Sequence, residues 1–209
     1  MEHLIFLIIC VIILAVGVPL LFHLGKRRQQ GLERVAQEMG FSFQANPASL
    51  EAEGFLELPL LKRNTGLTDV LRGAVASGEA VVLDVRTGRG RGAMRRTVAL
   101  FRLAGKRLPV FELRPEHLFD KLGAAFGYKD INFESNPKFS RRYLLRGPDE
   151  AAVRELFHHG RLMFFEQNKG WCVEGAGEWL AVYRSARMLR HTQVRTFLEE
   201  AGRVVTAFG

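Results

Sequence analysis

Cysteine is nearly absent from this 209-residue chain: there are two, and Cys10 sits inside an uncharged stretch, leaving Cys172 without an intramolecular partner. A disulfide framework is thereby excluded, and a reducing compartment is expected. The spacings of the common catalytic and cofactor motifs are also missing. No HExxH or paired CxxC occurs, no GxSxG elbow, and no Gly-Lys-Ser/Thr of a phosphate-binding loop, so zinc, serine-hydrolase and nucleotide chemistry have no signature here. Acids are short relative to bases. Thirty Lys and Arg face 22 Asp and Glu, a formal charge of +8, and an anionic partner is expected. Composition is otherwise ordinary, with 47% hydrophobic and 25% charged residues, which excludes disorder and collagen-like repeats and suits one domain after the N-terminal segment.

Long apolar runs are confined to the N-terminus. Leu4 to Phe22 reads LIFLIICVIILAVGVPLLF without a charge; as a helix it would be about 28 Å long, the thickness of a bilayer's hydrocarbon core. A cleaved signal peptide would carry Lys or Arg before the run and a small-x-small site after it, but Met-Glu-His precedes and His-Leu-Gly-Lys-Arg-Arg follows. The reading is a retained transmembrane anchor over residues 1–25. Lys26, Arg27, Arg28 and Arg34 follow the span and no Lys or Arg precedes it, so the positive-inside rule puts the N-terminus outside and the domain in the cytoplasm. The localisation expected is a bacterial inner (cytoplasmic) membrane, with the lipid bilayer as first partner.

Residues 26–40 read as a basic juxtamembrane helix, with Leu32, Val35, Ala36 and Met39 at helical spacing and Gly40 as its stop. Residues 41–209 form the α+β domain. FSFQ is a short strand, 48–53 a turn of helix, and LPLLK (58–62) a strand. Segments 69–76, 79–86, 96–103 and 108–114 read as four strands in an antiparallel meander. In the second, Val81, Leu83 and Val85 take the buried side, and Asp84 and Arg86 a wetter one. Pro115 opens a helix striped by Leu118, Phe119, Leu122 and Phe126. INFE (131–134) and RRYLLR (141–146) read as strands, 148–167 as one helix, and WCVE-GAG-EWLAVYR as a hairpin stapled by Trp171 and Trp179. A final helix carries the stripe Val194, Phe197, Leu198, Ala201, Val204, Val205 and Phe208. The fold class is a mainly antiparallel sheet packed by three or four helices. FQANP (43–47) and FESNP (133–137), with VLRG (70–73) and LLRG (144–147), give a weak hint of internal duplication.

At FELRPEHLFDKLG (111–123) and INFESNPKFSRRYLLRGPDEAAVRELF (131–157) the chain resembles a family of uncharacterised bacterial single-pass membrane proteins. The resemblance implies one N-terminal span, a short basic helix and a domain over most of residues 29–208. It carries no settled activity.

The sharpest local feature is the loop GRGRGAMRR (88–96), with Arg89, Arg91, Arg95 and Arg96 in nine residues; the stretch 86–107 around it adds Arg86, Arg102, Lys106 and Arg107 and holds no acid. Arginine's planar fork suits phosphate, and with Lys26, Arg27 and Arg28 these residues form the candidate anion- and lipid-binding set; the competing reading is a solvated loop. A strand follows the loop, which removes the phosphate-cradle reading. Phenylalanines follow apolar stripes and do not interleave with arginine, so nucleic-acid binding ranks below lipid or a membrane protein partner. Glu155, His158 and His159, and His117 with Asp120, have helical spacing that exposed carboxylate–histidine contacts also show; no metal or cofactor is expected. Cys172 reads as a small buried residue. The leading function is a membrane-anchored binding or scaffold module without catalysis. Its rival is an enzyme whose site gathers His117, His158, His159 and Cys172 from distant positions.

Overall fold

A computed structural model describes residues 6, 18–47, 54–116, 128–184 and 187–209, with side chains described from Gly25 onward in the first helix. Among these residues no helix is long and apolar enough to cross a membrane; the expected span at 4–22 lies for the most part outside them, as do His117, the 48–53 turn and the helix expected after Pro115.

The described elements are α1 (Val18–Glu38), β1 (Ser42–Gln44), α2 (Pro59–Lys62), β2 (Asn64–Val75), β3 (Gly78–Thr87), β4 (Met94–Arg102), β5 (Leu108–Pro115), α3 (Pro137–Ser140), β6 (Tyr143–Arg146), α4 (Glu150–Leu156), α5 (His159–Gln167), β7 (Cys172–Gly177), β8 (Trp179–Tyr183) and α6 (Val194–Thr206). All eight strands join one antiparallel sheet in the order β1-β2-β3-β4-β8-β7-β5-β6. The chain is an α+β domain.

The order corrects the four-strand meander. β2, β3 and β4 follow one another as expected, but β5 leaves them and pairs with β6 and β7. The edge of β4 is taken by β8, whose five residues WLAVY are all buried. A strand covered on both faces belongs in the middle of a sheet, and the β7–β8 hairpin fills that place. Leu103 N–H donates to Glu178 O (2.7 Å), closing β4 on the hairpin's turn.

The sheet's two faces carry different layers. One packs against α1, α4, α5 and α6 through Leu71, Val82, Ala99, Phe111, Val173, Val182 and the whole predicted stripe of α6. The other is covered by the short segment 54–62, where Phe55, Leu58, Leu60 and Leu61 cap Val81, Leu83, Val85, Val98, Leu100 and Tyr183. LPLLK is therefore a helical turn and not a strand: Pro59 stands in the first turn, where its missing N–H costs nothing, and consecutive Leu60 and Leu61 are both buried. Because both faces are covered, Asp84 is buried at 4% exposure, against the half-wet strand expected.

The second half differs most from its sequence reading. INFE is an irregular segment held to β6 by Ile131 N–H on Leu145 O (2.8 Å). Lys138 to Ser140 belong to α3, and Arg141 and Arg142 lie in the turn before β6, so they are not strand residues on opposite faces. Helix 148–167 is two helices broken at Phe157–His158; Asp149 caps the first by accepting from Ala152 N–H (3.0 Å). Pro115 ends β5 opposite Tyr143. The tryptophans do not staple the hairpin: Trp171 packs with Phe197 in the helical layer, and Trp179 meets Phe55 edge-on at 5.2 Å in the other.

Gly175 sits opposite Phe111, and a Cβ there would lie 2.3 Å from the ring's Cε1. That ring also packs on Phe157 and Phe208, at 5.1 and 5.9 Å, so it has little room to yield. Gly175→Ala is expected to cost about 1–3 kcal/mol, the usual penalty of overpacking; an unchanged urea midpoint would show that the ring moves freely.

Candidate functional site: charges at one end of the sheet

α1 lies antiparallel to β3. At its far end Phe41 sits on Gly73, which pairs with Ala80, while Arg28 meets Asp84. Ten helical residues from Arg28 back to Val18 cover about 15 Å, and four strand residues from Asp84 to Gly88 about 13 Å. The start of α1 and the β3–β4 loop thus leave the sheet at the same end.

The loop turns through a single 3-10 turn at Gly90–Gly92, with Gly88 and Gly90 at φ 76° and 58°, the left-handed region open to glycine. Arg89, Arg91 and Arg95 are exposed. Arg86 and Arg95 are direct cross-strand partners, a like-charge pairing that the sheet does not reward. Arg86 opens the acid-free basic stretch in the sequence, and the register places it beside the loop arginines.

Two of the expected lipid-binding arginines are committed elsewhere. Arg28 donates to Asp69 Oδ2 (2.6 Å), pairs with Asp84 Oδ2 (2.8 Å) and reaches Leu189 O (3.2 and 3.3 Å), so it fastens α1 to the sheet. Thr97 Oγ1 donates to the other Asp84 oxygen (2.6 Å). Burial pushes the Asp84 carboxyl above its ordinary value, against the opposing pull of Arg28. Asp69 occupies a β2 bulge at φ 54°, the one described non-glycine residue with positive φ, a conformation that aspartate tolerates better than most. Lys26 and Arg27 are exposed on α1.

Arg96 is likewise not at the loop surface. Strand alternation turns it, with Val98 and Leu100, onto the face under α2, where it is 1% exposed. It joins a polar layer of the buried Glu112, Arg114, Glu174 and Tyr183 with the partly exposed Arg63 at its rim. Glu112 accepts from Arg63 (3.1 Å) and Arg114. Glu174, fully buried, takes Tyr183 Oη–H at 2.6 Å and Leu60 N–H, with Arg63 and Arg114 at 3.7 Å. Desolvation raises the Tyr183 phenol, and Glu174 beside it raises it further. Burial also pushes the Cys172 thiol up to about 12, the condition of an inert buried thiol.

Of the residues of the enzyme reading, the three described ones do not gather in one place. Cys172 lies under α2, whereas His158 and His159 are exposed at the α4–α5 break on the helical side. His158 occupies the N-cap position of α5 without a side-chain capping bond, and His159 Nδ1 stands 3.2 Å from Asn136 Oδ1. The break also removes the shared helix face of Glu155 with His158 and His159. Among the described residues no three His, Cys, Asp or Glu gather as a metal site.

No protein-family model and no curated protein match the chain. Among solved structures it is similar to the crystal structure of the mycobacterial trehalose monomycolate transport factor A, TtfA, at TM-score 0.57 and 15% identity, over 87% of this chain and 90% of that one. At that identity the likeness concerns the fold: an α+β domain of the same overall arrangement.

Proposed function

We propose that the chain is a membrane-anchored binding or scaffold module, with the N-terminus outside and the α+β domain in the cytoplasm of a bacterial inner membrane, and that Arg86, Arg89, Arg91 and Arg95 face anionic headgroups. The observation that carries it is the common exit of α1 and the arginine loop at one end of the sheet. An apolar stretch at 4–22, inserted in a bilayer, holds that end at the surface, where each basic residue adds about 1 kcal/mol of attraction to an anionic leaflet. Arg28 supports the reading in a different role, because its two ion pairs fix the helix that leads to the anchor.

Trypsin tests the loop directly, since Arg89 and Arg91 are exposed. With full-length protein in nanodiscs, cleavage there is expected to be several-fold slower in phosphatidylglycerol than in phosphatidylcholine, and the contrast should fade at high salt. Equal rates in both lipids would remove the lipid version and leave a protein partner. A reporter fused at Gly209 should report from the cytoplasm; an external signal would overturn the orientation.

A further inference from the structure

We infer that the buried layer under α2 contains a binding site for an oxyanion, the phosphate or carboxylate group of a small molecule or lipid headgroup, with Arg96 as its principal ligand. A cavity of about 300 Å³ opens beside the arginine loop, lined by Arg63, Arg96, Arg114, Thr87, Gly88 and Gly92 among others, with no acid in its wall. Arg96 reaches Thr87 Oγ1 at 3.4 Å through one nitrogen and packs 5.6 Å from the Tyr183 ring centroid. Its Nε and Nη1 are buried with no hydrogen-bond partner, and so is Nε of Arg114.

Among the described residues the charges of this layer do not close. Arg63, Arg96 and Arg114 bring three positive charges, and Glu112 and Glu174 two negative ones. Both carboxylates are engaged by Arg63 and Arg114, and among the described residues Arg96 has no carboxylate within ion-pair distance. A guanidinium never sheds its proton at ordinary pH, so burial cannot neutralise it. A buried charge without a counter-ion costs several kcal/mol, as do orphaned buried N–H donors. An oxyanion in the cavity supplies the missing counter-charge and accepts charge-assisted hydrogen bonds from the guanidinium groups that line it. The site is separate from the exposed loop arginines and stands whether or not those meet a membrane.

The test uses the full chain in neutral detergent, with thermal unfolding followed at constant ionic strength. Inorganic phosphate, acetate and chloride are compared, and in a second arm phosphatidylglycerol with phosphatidylcholine. Phosphate, acetate or phosphatidylglycerol is expected to raise the melting temperature saturably, by about 3–6 °C at ten times its Kd, where chloride and phosphatidylcholine do not. A response to phosphate or acetate identifies a soluble ligand, and a response to phosphatidylglycerol alone a headgroup. Arg96→Met is expected to abolish the shift without lowering the unliganded melting temperature, since it removes an uncompensated charge. Should that variant not fold, Arg63→Gln, at a partly exposed position, is expected to raise the midpoint about tenfold. No saturable shift in the wild-type protein overturns the site, as does an equal response to chloride, or the same midpoint in either variant.

Discussion

Replacing Arg28 by alanine is expected to destabilise the domain by about 3–5 kcal/mol, the cost of removing one partner from a buried ion pair. In a chain of this size that lowers the melting temperature by roughly 10 °C. The size follows from what remains behind. Asp84 is 4% and Asp69 8% exposed, and without the guanidinium two neighbouring carboxylates face each other under α1 with only Thr97 and Gln29 as donors. The loss should depend on pH in a definite direction. The folded Asp84 carboxyl is already raised above 3.8 by burial, so the folded state binds its proton more tightly than the unfolded state does. Its contribution to stability is fully present below 3.8 and is lost as pH rises through the raised folded value. Removing Arg28 raises that value further, so the variant should recover part of its stability in mild acid, and Asp84→Asn in the same background should recover it at neutral pH. Chemical denaturation between pH 4 and 8 reads all three; a variant whose deficit is the same at every pH would show that Asp84 is not the residue left unpaired.

Glu174→Ala is expected to have an effect of similar size, about 3–5 kcal/mol. The fully buried carboxylate accepts from Tyr183 Oη and Leu60 N–H and stands between Arg63 and Arg114. Alanine leaves a cavity, an unpaired phenol, an unpaired backbone donor and an excess of positive charge in the same place. Tyr183→Phe should cost less, about 1.5–3 kcal/mol, for one hydrogen bond to a charged group. The double variant should lose less than the sum, because after Glu174 is gone the phenol has no partner to lose. Strict additivity in urea titrations would mean that the two do not share a bond. An oxyanion in the neighbouring cavity should partly rescue Glu174→Ala, since it supplies negative charge beside Arg63 and Arg114, and this makes the variant a second readout of the anion site.

The two networks lie on opposite faces of the sheet, and their residues were readable to different degrees. The α6 stripe was complete in the sequence, because a helix that covers a sheet must bury residues at 3.6-residue spacing and Val194 to Phe208 do so without interruption. The hairpin at 172–183 was plain as well, but its turn is not GAG: Gly175 and Ala176 pair with Leu180 and Trp179, and the two-residue loop is Gly177-Glu178, with Gly177 at φ 59°. Hidden were the residues whose role depends on who sits across from them. Arg96 reads as one more loop charge, yet the register Val85–Arg96 turns it inward. Asp84 reads as the wet side of a strand, yet α1 covers it.

Local sequence determined the charge excess, the apolar N-terminal stretch, most of the strands and the first and last helices of the domain, since each is written in the spacing of neighbouring residues. The tertiary structure alone decided that β8 and not β5 adjoins β4, that Arg28 is a fastener, and that Arg63, Arg96 and Arg114 converge. These are pairings across 18 to 85 residues or more of chain, set by which buried surfaces and charges satisfy one another, and no local periodicity encodes them.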